Sequence, residues 1–232
     1  MASSRGPLLR HELRALGPVL FGIPVFVAAL FAVAAGMMAF KQAHHSDIGN
    51  MLTAGLEGGL PLAIGIVFAT VAAREPALEV QLTLTTPYRV TVARRLTLLL
   101  LWAALIEGLA VLWLGAFDPW ALHRGGFDAM LTWLAPLLWF ASVGALLALL
   151  LRSAAISGTV LGALWVVQMA FHSYFAANGW TQPWYLFATL YTPDISFWLT
   201  NRLELLLTGL VLFLAIWGYL GNSEWRFRGE DA

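Results

Sequence analysis

The sequence predicts an all-α integral membrane protein with six transmembrane helices, and two observations lead to this fold class. The 232-residue chain is 60% hydrophobic and only 11% charged, whereas ordinary soluble domains contain about 25% charged residues. Its apolar residues also form runs that reach the length a bilayer requires, about 20 residues. Backbone groups inside lipid find no water to bond, so each run is expected to be a helix.

Six apolar runs are predicted to cross the membrane. They are residues 16–40, 51–73, 96–117, 130–151, 154–177 and 203–221. The first run starts after several charged residues and lacks a small-residue cleavage site, so we interpret it as a retained helix rather than a signal peptide. Only Arg152 and Ser153 separate the fourth and fifth runs, which predicts a tight antiparallel hairpin.

The distribution of basic residues predicts the orientation. If both termini lie on one side, ten of the 13 arginine and lysine residues share that side, and such an excess is typical of the cytoplasmic face. The three basic residues on the opposite side are Lys41, Arg124 and Arg202. Both termini are therefore expected in the cytoplasm, and residues 178–202 are expected outside.

Several classes of function have no support in the sequence. Without cysteine the chain offers no disulfide and no thiolate metal site, and a net charge of zero with a single lysine, Lys41, argues against nucleic-acid binding. Lys41 does not lie in a glycine-rich phosphate-binding loop, and no serine-hydrolase or zinc-protease motif occurs. We expect no catalytic residue, cofactor or metal on this chain, and we interpret His44, His45 and Asp47 as solvated loop residues.

Two polar segments are predicted to form helices that do not cross the membrane. Residues 4–15 place leucines and charged residues at helical spacing, which indicates a helix lying at the interface. A basic flank that only sets the topology is the alternative. Residues 74–90 contain Pro76 near a helix start, Leu82 on an apolar face and Pro87 as a stop. This second segment is expected to form a short amphipathic helix in the cytoplasm.

The segment 74–90 resembles part of a known family. Glu75, Leu78, Glu79, Leu82, Leu84 and Pro87 follow the order of the acidic helix between the second and third spans of ABC-2 type permeases. The chain is similar to that family in its six spans and basic N-terminal segment as well. It departs from the family in having Pro76 and Ala77 where Gly-Thr often precedes the Leu-Glu pair.

Residues 178–202 extend the resemblance. They are rich in aromatic residues and are interrupted by two prolines, and ABC-2 permeases have short re-entrant outer helices at this point before the last span. An ordinary loop lying on the lipid headgroups is the alternative.

The resemblance implies a function and a set of partners. Residues 1–232 would form a single permease domain of an ATP-driven exporter in a bacterial inner membrane. The chain would work as a homodimer or heterodimer on separate cytoplasmic ATPase subunits that hold ATP and magnesium. The residues implied to couple it to the ATPase are Glu75, Glu79, Leu82 and Pro87, with Tyr88 and Arg89 added by proximity.

Two acidic residues fall within the predicted spans, where ionisable groups are costly and often functional. Glu57 lies near the outer end of the second span, at a level where His172 could reach it, and Glu107 lies near the middle of the third span. No basic residue inside a span core is available to Glu107, which favours its neutral, hydrogen-bonding form. We assign all three residues to the translocation path, and a helix-to-helix hydrogen bond is the alternative role for either carboxyl group.

Other features leave alternatives open. Gly158 and Gly162 form a Gly-x-x-x-Gly pair in the fifth span, a surface that lets another helix approach closely and a candidate dimer contact. A proton- or ion-coupled carrier or channel that works without ATP would use Glu57 and Glu107 as titrating sites. A non-transporting membrane anchor of an assembly pathway is a third possible function.

Overall fold

The computed structural model describes residues 17–73, 88–117 and 127–229, and these residues contain helices and connections but no strand. The helices are α1 (Pro18–Phe40), α2 (His45–Ala54), α3 (Leu60–Ala73), α4 (Tyr88–Phe117), α5 (Phe127–Leu151), α6 (Ala154–Ala170), α7 (His172–Ala177), α8 (Ala188–Tyr191) and α9 (Trp198–Gly229). A π-helical turn, Gly55–Gly59, joins α2 to α3, and a 3-10 turn, Gln182–Trp184, lies between α7 and α8. The all-α prediction is confirmed for the described residues.

Within the described ranges, five helical stretches are long and apolar enough to cross a membrane. They are Pro18–Phe40, His45–Ala73, Arg89–Trp113, Phe127–Leu151 and Trp198–Gly221. Helix α6 is apolar but has only 17 residues, which corresponds to about 26 Å at 1.5 Å per residue. The chain is therefore compatible with a multi-pass, all-α membrane protein.

The structure changes the ends of several predicted spans. The second begins at His45 rather than at residue 51, so His45 and Asp47, interpreted from the sequence as loop residues, are helical and exposed. The helix of the third span begins at Tyr88 rather than at residue 96.

The fifth run, predicted to reach residue 177, divides because Phe171 leaves the helical conformation with φ −112° and ψ 27°, and α7 starts after it. The last span begins at Trp198, five residues before its predicted start, and so includes Arg202. The segments 4–15 and 74–87 lie outside the described residues, and residues 88–90 form the first turn of α4.

Helices α3 and α5 form the centre of the bundle. In the most apolar part of the α2–α3 stretch 72% of the residues are buried, and in that of α5 61% are buried. The corresponding shares for α1, α4 and α9 are 17%, 28% and 22%. The two central helices approach closely where glycines face each other: a Cβ on Gly144 would overlap the carbonyl oxygen of Gly65, and one on Gly65 would lie 2.8 Å from that of Phe140. Small residues permit this backbone contact, as in other membrane helix pairs.

Helices α1, α4 and α9, at the periphery of the bundle, expose apolar side chains. Exposed positions include Phe26, Leu30 and Val33 on α1, Leu101, Leu105 and Leu112 on α4, and Leu207, Leu210 and Leu214 on α9. Such contiguous apolar surface is unfavourable in water and is expected where lipid is the solvent. The hairpin between α5 and α6 is as tight as predicted, since Arg152 adopts a positive φ of 52° and the Ser153 hydroxyl accepts a hydrogen bond from the Ile156 amide.

Candidate functional site

The π-helical turn places Glu57 at the centre of a polar cluster. Its sequence is Gly-Leu-Glu-Gly-Gly, and the glycines leave room for aromatic rings on both sides. A Cβ on Gly55 would lie 2.8 Å from the Phe31 ring, and one on Gly58 would lie 2.6 Å from the Phe187 ring. Single π-helical turns within helices are rare and frequently occur at functional sites.

The Glu57 carboxylate is fully buried and receives three hydrogen bonds. The backbone amide of Thr189 donates to Oε1 at 2.9 Å, and that of Leu190 donates to Oε2 at 2.8 Å. The guanidinium of Arg202 donates to Oε1 and forms an ion pair with it. A buried carboxylate is costly unless it is paired and hydrogen-bonded, and these donors meet both conditions.

Arg202 is also fully buried and links Glu57 to the chain before α9. Its Nη1 donates to the Leu186 carbonyl at 3.1 Å, and its Nη2 donates to the Thr189 hydroxyl at 3.2 Å. The guanidinium lies 5.7 Å from the centre of the Trp198 ring. The assignment of Arg202 to an outer connection was therefore wrong: α9 starts at Trp198, which places Arg202 one turn inside a packed helix.

Two neutral side chains also form hydrogen bonds with the backbone of residues 182–186. Gln168 on α6 donates to the Trp184 carbonyl at 2.9 Å and accepts from the Leu186 amide at 2.9 Å. Asn201 on α9 donates to the Gln182 carbonyl at 2.6 Å and the Tyr185 carbonyl at 3.0 Å. We call Glu57, Gln168, Asn201 and Arg202 the polar clamp, and residues 178–197 the outer segment.

The polar clamp holds the outer segment against the bundle. Tyr185, Leu186, Phe187 and Ala188 are at most 1% exposed and pack with residues of α5, α6 and α9. Irregular backbone at membrane depth is tolerated only where protein satisfies its polar groups. The clamp supplies side-chain partners for backbone groups of residues 182–190, so it holds this stretch in position.

Known proteins offer no direct comparison for this arrangement. No family model, curated protein or solved structure matches the chain.

His172 lies beside the outer segment but does not share a hydrogen bond with Glu57. Its ring stacks on Tyr191 of α8, with centroids 4.2 Å apart. Its Nδ1 lies 3.2 Å from the Met169 carbonyl, and its Nε2 lies 3.2 Å from the Ser173 hydroxyl. Both Glu57 and His172 thus contact α8. Glu57 accepts hydrogen bonds from its amides, and His172 stacks on the ring of its last residue, Tyr191.

Glu107 lies on α4 and is fully buried. Neither of its carboxyl oxygens has a hydrogen-bond partner within the described part of the chain. The structure therefore does not bring Glu107 into the polar clamp.

The residues implied to couple the chain to an ATPase are described only in part. Glu75, Glu79, Leu82 and Pro87 lie outside the described residues, whereas Tyr88 and Arg89 open α4. The Arg89 guanidinium lies 5.4 Å from the centre of the Trp217 ring on α9. A Cβ on Gly221 would lie 3.3 Å from Arg89 Nη1. The first turn of α4 is thereby packed against α9.

The two glycines of the candidate dimer contact have different surroundings. A Cβ on Gly158 would lie 3.7 Å from Ile66 of α3, so that position faces the bundle. A Cβ on Gly162 would meet no atom within 4 Å. Of the two glycines, only Gly162 therefore offers an open surface.

Sequence reasoning found Glu57 but missed the residues that hold it. A carboxyl group inside an apolar run is conspicuous, whereas Gln168 and Asn201 are ordinary polar residues whose partners are backbone groups. One signal was present for Arg202: both it and Glu57 fall at outer ends of predicted spans, and opposite charges at one depth predict a pair. The sequence did not indicate that α9 starts at Trp198, which is what places Arg202 inside the helix.

Proposed function

We propose that this chain is the membrane-spanning permease subunit of an ATP-driven ABC exporter. Two such chains, identical or homologous, would form the substrate path, and separate cytoplasmic ATPase subunits would hold ATP and magnesium. The proposal rests on the resemblance of Glu75, Glu79, Leu82 and Pro87 to the ABC-2 acidic helix, and on an all-helical fold compatible with a multi-pass membrane protein.

One observation carries the proposal furthest: the outer segment folds into the bundle directly before the last span. It contains a 3-10 turn and the short helix α8, and its residues 185–188 are buried. These features favour short re-entrant outer helices, which the resemblance implies at this point, over a loop on the headgroups. The proposed architecture has α6 with α7 as the fifth span, an interfacial helix at 4–15 and a coupling helix at 74–90.

The proposed orientation places both termini in the cytoplasm of a bacterial inner membrane. It is supported by the excess of basic residues on that side. Arg202 no longer counts as an outer charge because it is buried in an ion pair. Without Arg202, the excess of basic residues on the proposed cytoplasmic side is larger.

The packing suggests how motion of an ATPase would reach the outer side. The coupling segment leads directly into α4, whose Arg89 lies on Trp217 of α9. Helix α9 continues without interruption to Asn201 and Arg202, which hold the outer segment. About 28 Å of helix separates Trp217 from Trp198 at 1.5 Å per residue. Movement of the first turn of α4 would thus be transmitted to the polar clamp by a single helix.

The proposal is tested by adding the purified partner ATPase to this chain reconstituted in nanodiscs. Glu75→Ala combined with Glu79→Ala is expected to lower the ATPase rate toward that of the isolated ATPase. The matched control replaces two acidic residues in the first turns of α2 and α5, Asp47→Ala with Asp128→Ala, and should keep the wild-type rate. Equal rates for the two double variants would contradict the coupling assignment.

A proton- or ion-coupled carrier is the second candidate, and one observation favours it. Glu107 is a buried carboxyl group without a partner among the described residues, and intramembrane carboxyl groups often serve as proton or ion sites. Glu107→Gln would abolish transport driven by a proton gradient. In the exporter, the same variant is expected to retain most of the ATPase stimulation, so the two functions are distinguishable.

A further inference from the structure

Helices α1, α2 and α4, with the π-helical turn, enclose a cavity of about 400 Å³. This volume falls within the range of small-molecule sites, roughly 300–1,000 Å³. Its walls include Val25, Ala28 and Phe31 of α1, Leu56 of the turn, and Trp102 and Leu109 of α4. It is separate from the polar clamp, none of whose four residues lines it.

Small residues create the space. Ala28, Ala29 and Ala32 line one side of α1, and Gly55 faces them from the turn. The Phe31 ring fits against Gly55, where a Cβ would lie 2.8 Å away. The cavity is therefore built from the same glycine-rich turn that places Glu57 in the clamp.

The cavity opens on the apolar outer surface of the bundle. Val25 is 45% exposed and Leu109 is 57% exposed, yet both also line the cavity. Leu105 and Leu112 continue the exposed row of Leu109 along α4, and Phe26 and Leu30 extend the exposed surface of α1. In a bilayer, the molecules in front of such an opening are lipid chains.

Among the residues that the structure describes, the walls provide no charged group for a polar ligand. All lining residues have apolar side chains apart from the indole groups of two tryptophans. The Trp102 indole N–H is already bonded to the Phe21 carbonyl at 3.0 Å. An ion, sugar or peptide would lose its hydrogen bonds on entry. A hydrocarbon chain has no hydrogen bonds to lose. It would make van der Waals contacts with the walls, which an empty cavity lacks.

We propose that this cavity binds one hydrocarbon chain of a membrane lipid, which enters sideways between α1 and α4. The headgroup stays at the membrane surface, since the cavity has no partner for it. This inference does not depend on the proposed exporter function, because it uses only the shape, lining and surroundings of the cavity.

The test uses the full-length chain in nanodiscs whose phospholipid carries a photoactivatable diazirine in one acyl chain. After illumination, labelled peptides are mapped by mass spectrometry. Labelling is expected to concentrate on cavity residues such as Ala28, Phe31 and Ala110. Ala28→Phe fills the space and should remove most of that labelling, whereas the matched control Ala215→Phe, on the exposed side of α9, should leave it unchanged.

Two results would overturn the proposal. Cavity residues labelled no more than the exposed surface of α9, and equally in Ala28→Phe, would indicate surface lipid only. An unlabelled cavity in the wild-type protein would show that something else, such as a second copy of the chain, covers the opening. If Ala28→Phe does not give a monodisperse protein, Ala110→Leu on the opposite wall provides the same comparison.

Discussion

The Glu57 and Arg202 side chains form the polar centre of the protein, and each depends on the other. Both are fully buried, and together they hold the amides of Thr189 and Leu190 and the carbonyl of Leu186. Taking two charges out of water is costly, so the pair adds little net stability by itself. Removing one partner leaves the other charge buried and uncompensated, which is the expensive change.

Arg202→Met should destabilise the protein by about 3–5 kcal/mol, because it strands the Glu57 carboxylate. Adding Glu57→Gln removes the stranded charge and retains an acceptor for one of the two amides, so the double variant should recover part of the loss. Thermal unfolding in detergent, followed by tryptophan fluorescence, measures both effects. Lys41→Met, which removes an exposed positive charge, is the control. A double variant no more stable than Arg202→Met would contradict the pairing.

At this scale the sequence reveals the unusual residue but not its environment. Glu57 is identified because a carboxyl group interrupts an apolar run. Its partners come from residues more than 130 positions later in the chain. Only the folded arrangement of α8 and α9 brings them together, and a local pattern carries no information about that contact.

Among the elements, the central pair α3 and α5 depends on a glycine-to-glycine approach. A Cβ on Gly144 would overlap the Gly65 carbonyl oxygen, and both glycines lie in the most buried pair of helices. Gly218 on α9 is different, since a Cβ there would meet nothing within 4 Å. The same substitution should therefore have opposite effects at the two positions.

Gly144→Ala is expected to destabilise the protein by roughly 1–3 kcal/mol through overpacking. Gly218→Ala should be neutral or stabilising by up to about 1 kcal/mol, because alanine is the better helix former. Thermal unfolding of both variants in one detergent gives the comparison directly. Loss of stability at Gly218 with none at Gly144 would contradict the described packing of α3 on α5.

The helices themselves were largely predictable, because long apolar runs leave few alternatives in lipid. The errors lie at the starts of the second, third and last spans and at the end of the fifth. Phe171 divides the fifth run, and the last helix starts at Trp198, where the sequence is still mixed in polarity. Hydropathy responds to composition, whereas these ends depend on the backbone conformation at Phe171 and on contacts of α9 with the outer segment.

At the scale of the whole molecule, the proposed exporter needs a route from the ATPase to the outer side. The packing of Arg89 on Trp217 and the uninterrupted helix α9 provide one. This route can be tested before the substrate is known.

ATP binding to the partner ATPase should change hydrogen exchange at residues 182–190, since the clamp that protects them is attached to α9. Trp217→Leu removes the cation–π contact with Arg89, which contributes about 0.5–1 kcal/mol at exposed sites, and should reduce this ATP-dependent change. Tyr219→Leu, at a similarly exposed position on the same helix, is the control. An undiminished change in Trp217→Leu would argue against this route.

The central claim is that the chain works together with a separate ATPase, and copurification tests it most directly. The tagged chain is expressed with its neighbouring genes and isolated in a mild detergent. The account predicts that a P-loop ATPase copurifies near one to one and is lost on combining Glu75→Ala with Glu79→Ala. Recovery of the intact chain without any ATPase, in several mild detergents, would contradict the account and favour the ATP-independent carrier.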